Sequence, residues 1–203
     1  MISNYLKIQH EYLQRAWTRP TEELAGSLPA EYRSGCFHFQ AFGCACQLCK
    51  TQILLDGQLQ TGPEGLLVAM YASFTVDRPV TLQPPKSFKE LPGAMPYWAA
   101  FTANAEHSLA PHVSAIEKIQ QELAASFSGF INTDALSGGF SFTLYPLPRI
   151  PLYYIFHLPD DEFPAAVTCL FAANASDYMP VDGLADVAEY TGKKLKSLAS
   201  NVG

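Results

Sequence analysis

The chain opens on a helical rhythm. Ile2, Tyr5, Leu6, Leu13, Ala16 and Trp17 recur at the spacing of one helix face, while Lys7, His10, Gln14 and Arg15 fall mostly elsewhere on the circumference. The pattern predicts a lead-in helix over residues 2–19, broken by Pro20, with Thr21-Glu-Glu-Leu starting a short second one. The period then changes to two. Phe37 and Phe39 alternate with His38 and Gln40, as in a strand with one buried face. Further on, Asp56-Gly57 is the dipeptide favoured in type I′ hairpins.

Thr61-Gly-Pro63-Glu64 reads as a helix start, with Thr61 as N-cap, Pro63 in the first turn and Glu64 closing a capping box. The helix that follows, to about Phe74, is apolar on nearly every face and should be central. Pro79, Pro84, Pro85 and Pro92 punctuate an irregular connection from Arg78 to Pro96. Connections of that length are usually functional or held in place by packing. Two helices are expected next, from Tyr97 to His107 and from Pro111 to Phe127.

Gly138-Gly139 opens a second β region, where Phe140, Phe142 and Leu144 alternate with Ser141, Thr143 and Tyr145. The denser apolar runs Pro151–His157 and Ala165–Phe171 predict strands covered on both faces, paired antiparallel through the short linker between them. A last helix, from about Val181 to Leu198, aligns Leu184, Val187, Ala188, Thr191, Leu195 and Leu198. Strands and helices come in blocks, not in strict alternation. The expected class is therefore α+β, a single domain over residues 1–203 with an antiparallel sheet and helices mainly on one face. Leu67, Met70, Phe74, Phe142, Ile155, Val167 and Leu170 should form its densest core.

Composition narrows the partners. Hydrophobic residues make up 48% and charged ones 16%, which describes a folded domain and excludes a disordered chain. A net charge of -6 and a pI near 5.3 argue against nucleic acid and leave a protein partner or a small molecule. The one basic run, Lys193, Lys194 and Lys196, sits at the end of the last helix, where cations suit the carbonyl end of the dipole. No apolar stretch approaches the ~20 residues of a membrane span, and the N-terminus lacks a secretory pattern. The expected compartment is the cytoplasm, with no membrane contact and reduced thiols; an odd cysteine count agrees.

The most specific chemistry is a thiol cluster. Four of the five cysteines, Cys36, Cys44, Cys46 and Cys49, fall inside residues 36–49. Cys44, Cys46 and Cys49 with Cys36 or His38 could hold zinc, and thiolates equally suit an iron–sulfur cluster. Cys46-Gln-Leu-Cys49 is also a C-x-x-C redox spacing, although that chemistry favours a helix N-terminus. Reduced cysteines without an ion are the expected state, with Cys169 apart inside a later strand.

Carboxylates and aromatics supply the other candidates. His157 precedes Asp160-Asp161-Glu162, so His157, Asp161 and Glu162 could do acid–base work in an enzyme or hold a hard cation. Like charges in a turn are more often simply solvated. Glu106, His107 and His112 flank a proline break and need not share a face. Tyr97, Trp98 and Tyr178, with Tyr145, Tyr153 and Tyr154, could wall a cofactor pocket. No phosphate loop, dinucleotide fingerprint, nucleophile elbow or zinc-protease helix is present.

Leu147-Pro-Arg-Ile-Pro-Leu152, Asp161-Glu-Phe-Pro-Ala165, Leu170-Phe171 and Tyr178 form a recurring set, joined by Phe88-Lys-Glu-Leu-Pro-Gly93 and Pro96-Tyr97. In these the chain resembles the bacterial and archaeal family called domain of unknown function 3786, from the strand near Phe37 onward. Some members of that family are joined to iron–sulfur domains. The resemblance implies a binding or accessory role in metal, iron–sulfur or cofactor metabolism in anaerobes. It carries no catalytic residue across, and the cysteine cluster is not part of the family pattern. A zinc-binding or thiol-redox module at Cys44, Cys46 and Cys49 and an acid–base enzyme at the residue 160–162 hairpin are the alternatives.

Overall fold

In a computed structural model, which describes residues 4–133 and 138–200, the first period-two region is a five-stranded meander. Strands β1 (Glu31–Arg33), β2 (Cys36–Ala41), β3 (Cys44–Cys49), β4 (Ile53–Leu55) and β5 (Gln58–Leu59) pair in chain order, each antiparallel to the next. Three of the turns, Ser34-Gly35, Phe42-Gly43 and Asp56-Gly57, have both central residues at positive φ. That is the I′ geometry whose twist matches the strands it joins. The Phe42 turn is the unexpected one, because a bulky residue rarely takes this conformation. Its ring is buried, and its N–H donates to the carbonyl of Pro146 at 2.6 Å. The bond stitches the meander to the second sheet.

That sheet has the order β6 (Lys86–Ser87), β10 (Ala166–Phe171), β9 (Ile150–His157), β8 (Gly139–Leu147) and β7 (Phe130–Ile131), again all antiparallel. The α+β class and the antiparallel pairing stand, with the strands divided between two sheets. Expected burial on both faces of β9 and β10 does not hold. Leu152, Tyr154, Phe156, Val167, Cys169 and Phe171 are buried, while the alternate residues Tyr153, Ile155, Thr168 and Leu170 are only partly so. Ile155 and Leu170 therefore lie outside the densest core, because they face the other side of the pleat. Phe74 is also partly exposed and packs on Tyr12 and the Arg15 guanidinium. Leu67, Met70, Phe142 and Val167 are buried as expected.

Helix α1 (Asn4–Ala16) lies along α3 (Pro63–Phe74), which is buried on nearly every side. Ile2 is outside the described residues. Tyr5, placed on the buried stripe by spacing, is exposed. Gln9 takes the inner position and donates to the carbonyl of Gln60. The N-cap of α3 is Gly62, not Thr61, and no side chain caps it. The region expected as two helices is shorter-grained: α4 (Trp98–Phe101), a π turn over 102–106, a 3₁₀ stretch over 107–112 containing Pro111, then α5 (Val113–Lys118) and α6 (Gln120–Ser126). Proline lacks the N–H that a continuous helix would need there. The final helix α7 (Val181–Ser200) crosses α3 at Gly183, where a Cβ would come within 2.5 Å of Met70 Sδ. Among the described residues, no helix is long and apolar enough to cross a membrane.

Two arginines tie these parts together. Arg149, in the tight turn between β8 and β9, donates from Nε to Ser27 O at 2.9 Å and from Nη2 to Gly26 O at 2.7 Å. These carbonyls end α2 (Thr21–Ser27), and the same guanidinium also reaches Arg78 O and Asp77 Oδ1. Arg19 donates to Ala72 O and Thr75 O at the end of α3 and to Ser27 Oγ at 2.6 Å. Thr75 Oγ1 completes the junction by donating to Ser27 O. The long proline-rich connection is held from its other side. Tyr178 donates its hydroxyl to Pro79 O at 2.9 Å, and Asn174 Oδ1 accepts from Thr81 N–H at 2.8 Å. Within the Leu-Pro-Arg-Ile-Pro segment, the arginine is thus an architectural clamp.

Replacing Arg149 should be costly in proportion to the carbonyls it leaves unmet. Its side chain is only 13% exposed, so Arg149→Met is expected to lower the unfolding free energy by about 3–5 kcal/mol. Arg149→Lys should recover only part of this, because an ammonium cannot reproduce the planar fork. Asp77 is 66% exposed, and Asp77→Ala should cost less than about 1 kcal/mol. Urea unfolding at constant slope provides the measurement.

Candidate functional site

The cysteine cluster is itself a strand, and this decides its chemistry. Register places Ala41 opposite Cys44, Phe39 opposite Cys46 and Cys36 opposite Cys49. Period two puts Cys44 and Cys46 on the inner face of β3 and Cys49 on the outer one. Cys36 and Cys49 lie on that outer side with Cα atoms 4.3 Å apart, the narrow spacing of an antiparallel pair, and form a disulfide. The expectation of reduced cysteines is corrected for this pair. So is the role of Cys36 as fourth ligand, because its sulfur is already bonded and faces away from Cys44 and Cys46. His38 points to the same outer side as Cys36, as expected, opposite Gln47. Among the described residues no group of three or more His, Cys, Asp or Glu side chains is placed to hold a metal ion. Cys46 is buried among apolar side chains, and that burial pushes its thiol far up. Cys169, buried in β10 as expected, behaves likewise.

Cys44 is different. It begins β3 at the edge of an open cleft of about 480 Å³, half-buried, with Lys194 Nζ of α7 at 2.8 Å from its sulfur. Asp56, from the neighbouring I′ turn, stands beside the thiol and accepts the Ala45 N–H at 2.8 Å. Burial raises the Cys44 thiol above its ordinary value, and the hydrogen bond from Lys194 works against the rise. The hydrogen bond with Cys44, followed by that from Ala45, holds the Asp56 carboxyl below its usual range. Lys193, next along the helix, is engaged by Glu189 at 2.7 Å and by the Tyr190 ring.

The other candidates do not converge. Asp160 Oδ1 accepts the N–H groups of Glu162 and Phe163 at 2.9 and 2.7 Å, and these bonds lower its pKa. Its carboxylate therefore caps its own turn. Asp161, Glu162 and His157 are all exposed. Glu106 turns inward to accept the Cys169 N–H at 3.0 Å, while His107 is exposed; burial raises the Glu106 carboxyl. Tyr97 and Trp98 are 41% and 44% exposed at the start of α4. Tyr178 is buried, and its hydroxyl is taken up by the loop carbonyls and Asn174.

A second concavity draws on residues that sequence reading largely passed over. Between β7, β8, β9 and the 82–85 loop lies a crevice of about 250 Å³. Thr143 and Tyr153 contribute hydroxyls to it, and Asn132 borders it just past the end of β7. Thr143 Oγ1 donates to Asn132 Oδ1 at 3.0 Å, whereas the Asn132 amide nitrogen is buried without a partner among the described residues. Leu82, Phe130 and Ile131, all well exposed, form the apolar rim. Among the described residues that line it, none is charged. Tyr153 is among the six aromatics that the sequence offers as pocket walls. Asn132 and Thr143 carry no local signal, because only the β7–β8 pairing brings them together.

Comparison with known proteins gives one result. The model of a family described as a domain of unknown function (DUF3786) matches residues 21–194, a span that starts earlier than the sequence motifs alone suggested. No curated protein and no solved structure matches the chain.

The geometry orders the free thiols by reactivity. Cys44 should be the one alkylated in the folded protein, with Cys46 and Cys169 reacting only on unfolding. Because the thiolate is the nucleophile, a raised pKa means that the Cys44 rate keeps climbing beyond the ordinary cysteine value of 9.0. Lys194→Met removes the opposing cation and should move the midpoint of the rate profile higher still. Peptide-resolved alkylation across a pH series tests both; a plateau at or below 9.0 would contradict the placement.

Proposed function

The chain belongs to the DUF3786 family, and we propose that it is a binding protein whose ligand is a small, uncharged molecule seated in the Asn132 crevice. The observation that carries this reading is the amide nitrogen of Asn132, without a partner among the described residues and buried beside the Thr143 hydroxyl and an apolar rim. A buried donor without a partner costs about 1–3 kcal/mol, and a ligand carbonyl or ring nitrogen would remove that cost on binding. Binding sites commonly have this form, with mostly apolar walls and a few placed polar groups. With no ionised side chain among the described residues of the lining, a charged ligand would lose its hydration to neutral groups. The volume of about 250 Å³ equals roughly eight waters at ~30 Å³ each, which suits a single-ring molecule.

This reading favours a binding role over an acid–base enzyme at residues 157–162. There the Asp160 carboxylate is committed to its own backbone, and its neighbours project into solvent. An accessory role in cofactor metabolism fits it as well, with an organic ligand held by hydrogen bonds and not an ion held by thiolates. A cytoplasmic location belongs to the same proposal, although the Cys36–Cys49 bond removes the support that uniformly reduced thiols would have lent it.

Ligand-observed NMR with nicotinamide and other neutral ring amides as probes tests the site, with nicotinate as the charged comparison. The expected outcome is binding of at least one neutral probe, rejection of the charged one, and loss of binding in Asn132→Ala. Equal binding of both classes, no binding of any probe, or binding indifferent to Asn132→Ala would overturn the reading. Asn132→Ala should leave the fold intact, since the main chain at this position keeps its bond to Ser141 O.

A further inference from the structure

We propose that Cys44 and Lys194 are an oxidative cross-linking site, joined through a single oxygen as Sγ–O–Nζ. The two atoms sit 2.8 Å apart in an open cleft that a small peroxide can enter. This is close for an amine resting against a sulfur and too far for a direct sulfur–nitrogen bond. One bridging atom fits the gap. The residues are 150 positions apart in sequence, and each is fixed independently: Cys44 by the β2–β3 ladder and Lys194 by α7. Their approach is thus imposed by the fold. Lys193 cannot substitute, because it is held by Glu189 and stacked on Tyr190. Cys46 and Cys169 are buried away from the cleft.

The chemistry balances with hydrogen peroxide as the oxidant. In the first step the Cys44 sulfur attacks peroxide, the O–O bond breaks, and a sulfenic acid and one water form. In the second, Lys194 in its amine form makes an N–O bond to the sulfenic oxygen. The nitrogen and the sulfenic oxygen each lose one hydrogen, and a second peroxide takes up both hydrogens and the two electrons to become two waters. The sum is thiol plus amine plus two peroxides, giving the S–O–NH link and three waters. In the first step the thiol proton leaves with the departing peroxide oxygen as water. The adjacent amine explains why the sulfenic acid would be captured in place of proceeding up the oxidation ladder. The product would covalently tie the β2–β3 hairpin of the meander to the terminal helix. This site is separate from the Asn132 crevice, so either proposal can fail alone.

The test treats the full chain with hydrogen peroxide and reads intact mass, followed by peptide mapping. The expected result is a species with one oxygen gained and two hydrogens lost. In it, the Cys44 and Lys194 peptides are joined and tryptic cleavage after Lys194 is blocked. Cys44→Ser and Lys194→Arg should each abolish the joined peptide, with Lys194→Arg diverting Cys44 to sulfinic acid. Circular dichroism confirms that each variant is folded, and Lys194→Arg keeps the charge. Simple oxygen additions with the peptides separate would overturn the proposal. So would hydrogen loss without oxygen gain, or a joined peptide that persists in Lys194→Arg.

Discussion

The structure depends on how helix-end carbonyls are met away from water. Ser27 lies where α2, α3, the β8–β9 turn and the start of the proline-rich connection converge, and no regular ladder can serve all of them. Two guanidinium groups and the Thr75 hydroxyl do so instead. An arginine fork suits the task because it offers several donors in one plane and cannot lose its charge. The meander, the central helix and the second sheet are therefore related through a polar knot as well as by apolar packing. Around it, the buried residues form one continuous cluster that spans both sheets.

Much of this fold was written in local pattern. The Asp56-Gly57 hairpin, the buried α3 helix and the antiparallel pairing of β9 with β10 follow from turn chemistry and periodicity, which act over a few residues. The misreadings share a cause. Phe42-Gly43 lacks the usual turn composition, and its positive φ is stabilised by contacts made much later in the chain. Ile155 and Leu170 are apolar, yet their exposure depends on which face of the second sheet the core covers. Gln9 is buried on the inner stripe of α1 because Gln60 O lies there to receive its amide, while Tyr5, one turn earlier on that stripe, lies at the exposed start of the helix.

The sites were less legible, for reasons of geometry. A cluster of thiols looks like a ligand set when counted along the sequence. Once residues 44–49 are a strand, the odd interval from Cys46 to Cys49 sends the sulfurs to opposite faces, and the even interval from Cys44 to Cys46 does not. That arithmetic needed only the recognition that the cluster was a strand and not a turn between strands. Lys194 could not have been found in this way. It stood in the sequence as a cation at a helix end, and its partner is a fold away. Asn132 was equally silent, since an unmet amide is a property of its surroundings.

The pinned proline connection has a kinetic meaning. The Thr81 N–H is bound by Asn174, and the Thr81 carbonyl accepts the Ala173 N–H at 2.8 Å, just past the end of β10. A segment that reads as irregular thus moves with the second sheet. The Thr81 amide proton is shielded from exchange for as long as the Asn174 bond holds. Leu82 and Gln83, which follow directly, wall the Asn132 crevice. The crevice would then meet its ligand already shaped, with little ordering left to do on binding.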